Sequence, residues 1–360
     1  LERDVGGDYA DAVAAMNAHP APVMALDIPT GIHGDSGEVM GTAVAADLTV
    51  TFVGLKAGLF CAAGAEHSGK IMFDGLDVPE QCRKPKDSLY RRIDDALLQE
   101  VLPRRARAAH KGDFGHVLIV GGGPGMPGAV RLAGEAALRT GAGLVSVATH
   151  VSHAAGLVGT RPELMCHGVE DLSCLSELIE KADVIAFGPG LGTSEWARDL
   201  YLAVEGLQKP SVWDADALNL LAETPGPADN RVITPHPGEA GRLLETSAAE
   251  VQSDRRAALD GLVARFSGVV VLKGANSLVS SQSGPPWMST SGNPGMASPG
   301  MGDVLTGIIA ALIAQGADLE RAATAGVEIH ARAGDRAAVA GERGLMASDL
   351  LAELRNIVNP

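Results

Sequence analysis

Large aromatic side chains are scarce in this chain, with three Trp, three Tyr and six Phe among 360 residues. Cysteine is scarcer. The four present, Cys61, Cys82, Cys166 and Cys174, form no C-x-x-C pair, which argues against a zinc framework. Nothing resembling a secretory leader precedes them, so the sequence predicts reduced thiols in a cytoplasm. No apolar run reaches the roughly 20 residues that a membrane span needs. Positive charge is also short: 29 Lys and Arg stand against 44 Asp and Glu, and a net charge of -15 argues against an electrostatic nucleic-acid surface. Any phosphate this protein binds must therefore be held by local features. Residue 1 is Leu rather than Met, with no obvious strand or cap behind it, so the chain reads as a fragment.

Aliphatic residues and glycine are abundant instead. With 46% hydrophobic residues and 45 glycines, the composition describes an α/β protein with room for more than one domain. Short β-branched runs alternate with Ala/Leu-rich stretches of helical spacing, the pattern of a parallel sheet covered by helices. A first block has apolar runs at "VMALDI" (23–28), "LTVTFVG" (48–54) and "KIMFDGL" (70–76), then turns polar through "PEQCRKPKDSLYRRIDD". This shift places a boundary near residue 90, giving domains at 1–90 and 91–360. The second block opens "GHVLIVGGGPGMPGAVRLAGEAALRTGAGLVSVAT", which reads as strand, glycine loop, helix and strand.

In that block the polar motifs follow the apolar runs directly. "DVIAFG" leads into "PGLG", "SVW" into "DADALN", "RVI" into "TPHPGE" and "VVVL" into "KGANS". The carboxyl ends of parallel strands share one edge of a sheet, so these four loops should converge on one crevice. Each element also has a plainer reading. His236 between two prolines fits a rigid turn, and Asp214 and Asp216 fit helix caps before "ALNLLAE". Lys273, like Lys56 in "GLKAGL", fits a solvated strand end. The loop "GGGPGMPG" lacks the G-K-[ST] ending of a phosphate loop and is weak evidence by itself.

"NPGMASPGMGDVLTG" (293–307) is more specific, because it runs glycine-rich chain into an apolar helix with an acid, Asp303, at the junction. A helix start offers unpaired N–H groups and the positive end of the dipole, which suits an anion. Asp303 has an obvious alternative role as the N-cap. A cap does not require Gly295, Gly300 and Gly302 crowded before it, whereas close approach of a phosphate to bare backbone does. A carboxylate beside such a hole can deprotonate a hydroxyl that attacks phosphorus while the amides neutralise the moving charge.

Taken in order, "HKGDFGHVLIVGG", "MPGAVRLAGEAALRTGAGLV", "FGPGLG", "WDADALN", "ITPHPGE", "VVLKGANS" and "GNPGMASPGMGDVLTGIIAALIAQG" resemble the nucleotide-dependent NAD(P)H-hydrate dehydratase family, over residues 95–357. "APVMALDIPTGIHGDSGEVMGTAVAADLTVTFVGLKAGL" resembles the second half of the NAD(P)H-hydrate epimerase domain that bacteria fuse in front of it. The resemblance implies a ribokinase-like α/β fold preceded by part of a Rossmann-like α/β epimerase domain. It implies dehydration of the S epimer of hydrated NADH or NADPH at the expense of ADP or ATP, with Mg2+, and a homo-oligomer. Hydrate-binding residues then fall on Ala129, Gly190, His236 and Asp303, with Asp303 as the base. Nucleotide contacts fall on Lys273, Gly274, Ala275, Asn276, Ser277 and Gly302. In the first block Asp27 matches a substrate-binding Asp and Thr30 a potassium-coordinating residue. The family's preceding Asn-rich glycine loop and "DALLGTG"-type segment are missing, so the resemblance implies no epimerase turnover from this chain. "ASPG" also departs from the family, because Pro299 removes an N–H donor from the anion loop. Two rival readings are a vitamin-precursor kinase of the same fold, which would release a stable phosphorylated product, and a nucleotide-binding scaffold without turnover.

Overall fold

The structure is a computed structural model that describes residues 3–83, 88–282 and 284–359. Residues 84–87, part of the polar stretch read as a boundary, lie outside the described residues. The chain divides into two compact units, Leu1–Arg91 and Arg92–Pro360.

In the first unit the three apolar runs form a parallel sheet of β1 (Met24–Leu26), β2 (Leu48–Phe52) and β3 (Lys70–Asp74), in that order. Met24 pairs with Leu48, and Leu48 with Lys70. The helix Asp8–Ala18 precedes the sheet, and the Asp47 carboxylate accepts the Val23 N–H at 2.7 Å, tying the start of β1 to β2. The core of this unit is small, resting on Val13, Ile32, Val44 and Leu59.

The second unit carries a ten-stranded sheet. Its strands are β4 (Arg91–Arg92, at the division), β5 (His116–Val120), β6 (Leu144–His150), β7 (Met165–Val169), β8 (Val184–Phe187), β9 (Ser211–Trp213), β10 (Arg231–Ile233), β11 (Val269–Leu272), β12 (Leu278–Ser280) and β13 (Trp287–Met288). They lie in the order β4-β13-β12-β11-β10-β9-β8-β5-β6-β7. From β7 across to β11 every pair is parallel, and β11-β12-β13 is an antiparallel edge. Helices cover both faces, which is why β8 and β11 read as continuous apolar runs and why β8, β9, β10 and β11 are buried throughout, Ser211 and Arg231 included. The chain moves outward from β5 to β6 and β7, then returns to place β8 on the other side of β5. That reversal is a topological switch point, where parallel sheets open a crevice beyond their carboxyl ends.

The helix Met301–Ala314 packs on the helix Pro127–Thr140 and is buried nearly all round, Met301 and Val304 through Ile313 included. Its apolar sequence "VLTGIIAALI" belongs inside the protein and not on an amphipathic surface. No helix among the described residues is long and apolar enough to cross a membrane.

Candidate functional site

The loops after β5 and β8 meet at the switch point. Gly122 N–H donates to the Pro189 carbonyl at 2.9 Å and Gly123 N–H to the Gly190 carbonyl at 2.7 Å. Gly190 has a φ of 56°, and a Cβ there would lie 2.9 Å from the Ala129 Cβ, so only glycine lets the two loops close. The structure thus brings Ala129 and Gly190 side by side. Gly192 N–H in turn donates to the Asp216 carboxylate at 2.8 Å, which ties this pair to the loop after β9.

That loop, with those after β10 and β11, supplies the charges. Asp214 follows β9 and is fully enclosed, with Lys273 Nζ donating to its Oδ1 at 2.6 Å and Thr306 Oγ1 to its Oδ2 at 3.0 Å. Burial opposes ionisation of Asp214, yet attraction to Lys273 and hydrogen bonds from Lys273, Thr234 and Thr306 prevail, and its carboxyl stays below the ordinary range. For Lys273, burial favours the neutral amine, but Asp214 and Glu239 outweigh it and hold the ammonium firmly charged. Glu239, buried at the end of the "TPHPGE" turn, lies 3.7 Å from Lys273 Nζ. Burial, reinforced by Asp214, pushes Glu239 up to about 7.

Asp303 completes the cluster. The N-cap of its helix is Gly300, in left-handed geometry with φ 89°, and no side chain caps the end. Asp303 is the third residue of the helix, so the capping role open to it in the sequence is not the one it occupies. Burial and the neighbouring Asp214 push its carboxyl up to about 7, with Lys273 pulling the other way. Gly302 puts the helix start hard against the ion pair: a Cβ there would stand 3.0 Å from Asp214 Oδ2 and 3.2 Å from Lys273 Nζ. A side chain here would crowd the ion pair, and bare backbone leaves the helix amide open to approach a ligand phosphate.

Asp214 and Asp216 are not caps either. The residue capping Asp216–Glu223 is Ala215, and neither acid's side chain caps that helix; Asp214 reaches it only through its backbone carbonyl, which accepts the Ala217 N–H at 3.1 Å. His236 is a cap, however: its Nδ1 accepts the Gly238 N–H at 3.0 Å, and Glu239 reciprocates by accepting the His236 N–H at 2.8 Å. The rigid-turn reading of His236 therefore holds, and the turn delivers its half-exposed ring to the edge where Lys273 emerges. Burial, Lys273 and Arg242 lower its pKa, so the ring is neutral at neutral pH, and with Nδ1 accepting, Nε2 carries the proton.

"KGANS" turns off β11 around Gly274 (φ 144°) and Asn276 (φ 57°). Asn276 Nδ2 donates to the Ser289 carbonyl at 3.2 Å and Ser277 Oγ to the Gly274 carbonyl at 3.1 Å, while Gly274 and Ala275 are exposed at the rim. Lys273, by contrast, points inward into the cluster and is no solvated strand end. Sequence reasoning missed Glu239 and Thr306. The spacing of "HPGE" as a capping box was a legible signal for Glu239. Thr306 gave none, since a Thr inside an apolar helix has no spacing that marks it.

In the first unit Asp27 has φ 70° and its Oδ1 accepts the Phe52 N–H at 3.1 Å. Lys56 forms an ion pair with the same oxygen, so Lys56 is not merely solvated. Burial works against the Asp27 charge, but Lys56 and the Phe52 and Thr51 hydrogen bonds leave its pKa lowered. Thr30 lies exposed on the same turn, with its carbonyl accepting the Val44 N–H at 2.9 Å.

Among the described residues no group of three or more His, Cys, Asp or Glu is arranged to hold a metal ion unaided. The main cluster nonetheless fits magnesium arriving with a nucleotide, since Asp214, Glu239 and Asp303 share one lysine and are short of positive charge. Magnesium is commonly held by one or two carboxylates together with substrate phosphates.

Two family models match the sequence: NAD(P)H-hydrate dehydratase over residues 117–356 and YjeF-related protein N-terminus over residues 1–58. The bifunctional NAD(P)H-hydrate repair enzyme Nnr of Coxiella burnetii is 48% identical over 100% of this chain and 74% of its own length. Its Escherichia coli counterpart is 46% identical over 96% of this chain and 67% of its own. Among solved structures, a ribokinase-like superfamily protein from Enterococcus faecalis superposes with a TM-score of 0.71 at 29% identity, covering 76% of this chain and 97% of that one. The ADP/ATP-dependent NAD(P)H-hydrate dehydratase from Bacillus subtilis, co-crystallised with ATP/Mg2+, gives 0.65 at 28% identity, covering 72% and 94%.

Proposed function

The chain belongs to the NAD(P)H-hydrate dehydratase family within the bifunctional NAD(P)H-hydrate repair enzymes, and from that premise we propose that its second unit converts the S epimer of hydrated NADH or NADPH to the reduced cofactor. ADP is the phosphoryl donor, and AMP and inorganic phosphate are released. The observation that carries this reading is Asp303: a half-buried acid on the first turn of a helix, capping nothing and held near 7, beside bare amides and a lysine.

The chemistry follows from those groups. Hydroxide is a poor leaving group, so a hydrate loses water slowly, whereas a phosphate ester leaves readily. Asp303 takes the proton of the ring hydroxyl as its oxygen attacks the terminal phosphorus, and a base titrating near the working pH suits that step. The amides at Met301 and Gly302, at the positive end of the helix dipole, hold the transferring phosphoryl group, and Lys273 offsets its charge. The Nε2–H of neutral His236 donates to the hydrate, and Ala129 and Gly190 form the wall of small residues against which its ring lies. Gly274, Ala275, Asn276 and Ser277 receive the rest of the nucleotide. A magnesium ion bound with the phosphates would add charge neutralisation, and the carboxylate cluster around Lys273 is placed to hold it. In the first unit we assign Asp27 to a hydrate subsite and Thr30 to potassium; the donors fit, because a carboxylate and an exposed hydroxyl share one turn.

Family membership disfavours a vitamin-precursor kinase. Mixing the protein with hydrated NADH and ADP and following the return of reduced-nicotinamide absorbance tests the proposal. Recovery with equimolar phosphate is expected. A stable phosphorylated hydrate, or no rate above the spontaneous one, would overturn it.

A further inference from the structure

Glu239 takes no part in the proton transfer or in the hydrate and nucleotide contacts assigned above, yet it touches both halves of the site. Its Oε2 accepts the His236 N–H at 2.8 Å and stands 3.7 Å from Lys273 Nζ, and its Oε1 lies 3.4 Å from His236 Nε2. The backbone closes the same circuit, with Lys273 N–H donating to the Pro235 carbonyl at 2.9 Å. The remaining charged groups around Glu239 are Asp214, at the end of β9, and Arg242, one turn along its own helix. Its 3.4 Å approach to Nε2 is too long for a well-formed hydrogen bond, so the Nε2 proton is left to a ligand oxygen.

We infer that Glu239 is a positioning residue that couples the hydrate and nucleotide subsites. In the free protein it shares Lys273 with Asp214 and so competes with an incoming phosphate. When phosphates draw the ammonium toward themselves, the Glu239 carboxylate loses that attraction and settles on the His236 backbone N–H, fixing the turn that aims the ring and its Nε2–H at the hydrate. Nucleotide then tightens hydrate binding, and by linkage the hydrate tightens nucleotide binding by the same factor. The inference rests on the dehydratase reading and assigns a regulation to that same site.

Glu239→Gln keeps the size and an oxygen acceptor for the His236 N–H while removing the charge, so the turn should survive. The probes are ADP alone, with a chelator present, and NADPH as a non-reacting occupant of the hydrate site. Glu239→Gln should bind ADP about threefold to tenfold more tightly, because a competitor for Lys273 has gone, and NADPH more weakly by a similar factor. A purely structural role would weaken both. In the native protein, saturating NADPH should tighten ADP by roughly fivefold or more, and in Glu239→Gln this factor should fall toward one. His236→Asn supplies an independent test, since Asn caps a helix but has no imidazole: ADP affinity should be kept and the coupling lost. Coupling retained in either variant, or ADP weakened by Glu239→Gln, would overturn the inference while leaving native dehydration of hydrated NADH intact. If the native protein neither dehydrates nor binds NADPH, the dehydratase reading falls and takes this coupling with it.

Discussion

Two acidic sites, one in each unit, place carboxylates beside a lysine and put them to opposite uses. In the first unit Asp27 has Lys56 to itself, on a turn where both side chains still reach water, and its pKa is lowered. In the second, one half-buried lysine serves Asp214, Glu239 and Asp303. Asp214 takes the close contact and stays ionised, and the other two are left near 7. A charge with a dedicated partner is quiet at neutral pH. A charge that must share becomes a proton acceptor poised to titrate there, because burial without full compensation raises a carboxyl pKa.

The sharpest way to break the comparison is Asp303→Asn, which keeps shape and removes the base. Turnover should fall roughly 100-fold to 10,000-fold, measured as recovery of reduced-nicotinamide absorbance. A folded variant with near-native turnover would return Asp303 to a structural role.

Lys273→Ala comes next. It strips the buried Asp214 of its cation, and breaking one side of a buried pair costs about 3–5 kcal/mol, so denaturant unfolding should report a severe loss. Where the variant still folds, nucleotide affinity should fall more than hydrate affinity. An equal fall for both ligands would sink the nucleotide assignment of Lys273.

The pH dependence sharpens the contrast because activity and stability move in opposite directions. Activity should rise through pH 7 as Asp303 ionises. Its folded pKa of about 7 exceeds the ordinary aspartate value of 3.8, so the folded state holds a proton that the unfolded state releases. The corresponding stability is fully present below about pH 4 and is lost progressively as pH rises to 7. Asp303→Asn should therefore raise the melting temperature at pH 8 relative to native protein and hardly change it at pH 4. Melting curves of equal offset at both values would contradict the half-buried, titrating acid.

Lys56→Ala should do least, about 0–1 kcal/mol, since the Asp27 pair is partly solvated. A loss as large as that of Lys273→Ala would erase the distinction between the two sites.

The convergence of loops on one sheet edge was legible in the sequence because continuous apolar runs identify strands buried on both faces, and each ended at a polar motif. "KGANS", "TPHPGE" and "GMGD" lie where that reasoning put them, at the ends of β11 and β10 and at the start of a buried helix. What remained hidden was the division of labour among acids. Asp214, Asp216 and Asp303 all precede or open helices, and local pattern makes each a cap. Only the three-dimensional position of Lys273, 59 residues from Asp214, decides which acid is paired and which is left to titrate. Thr306 was illegible for the same reason, since its hydroxyl matters through a partner 92 residues away.

The breadth of the site along the chain also sets a clock. Ala129 and Asp303 are 174 positions apart (303 minus 129), and Lys273 comes late among them. At roughly 5–20 residues per second, a ribosome needs about 9–35 s to travel that distance. From residue 239 to residue 272 the nascent chain holds Asp214 and Glu239 without their lysine, and until residue 314 it lacks the complete helix that packs between them and the helix Pro127–Thr140. The interval before that helix is complete is the one in which a chaperone has most to shield, and activity should emerge in one step only after the helix ending at Ala314 has left the exit tunnel.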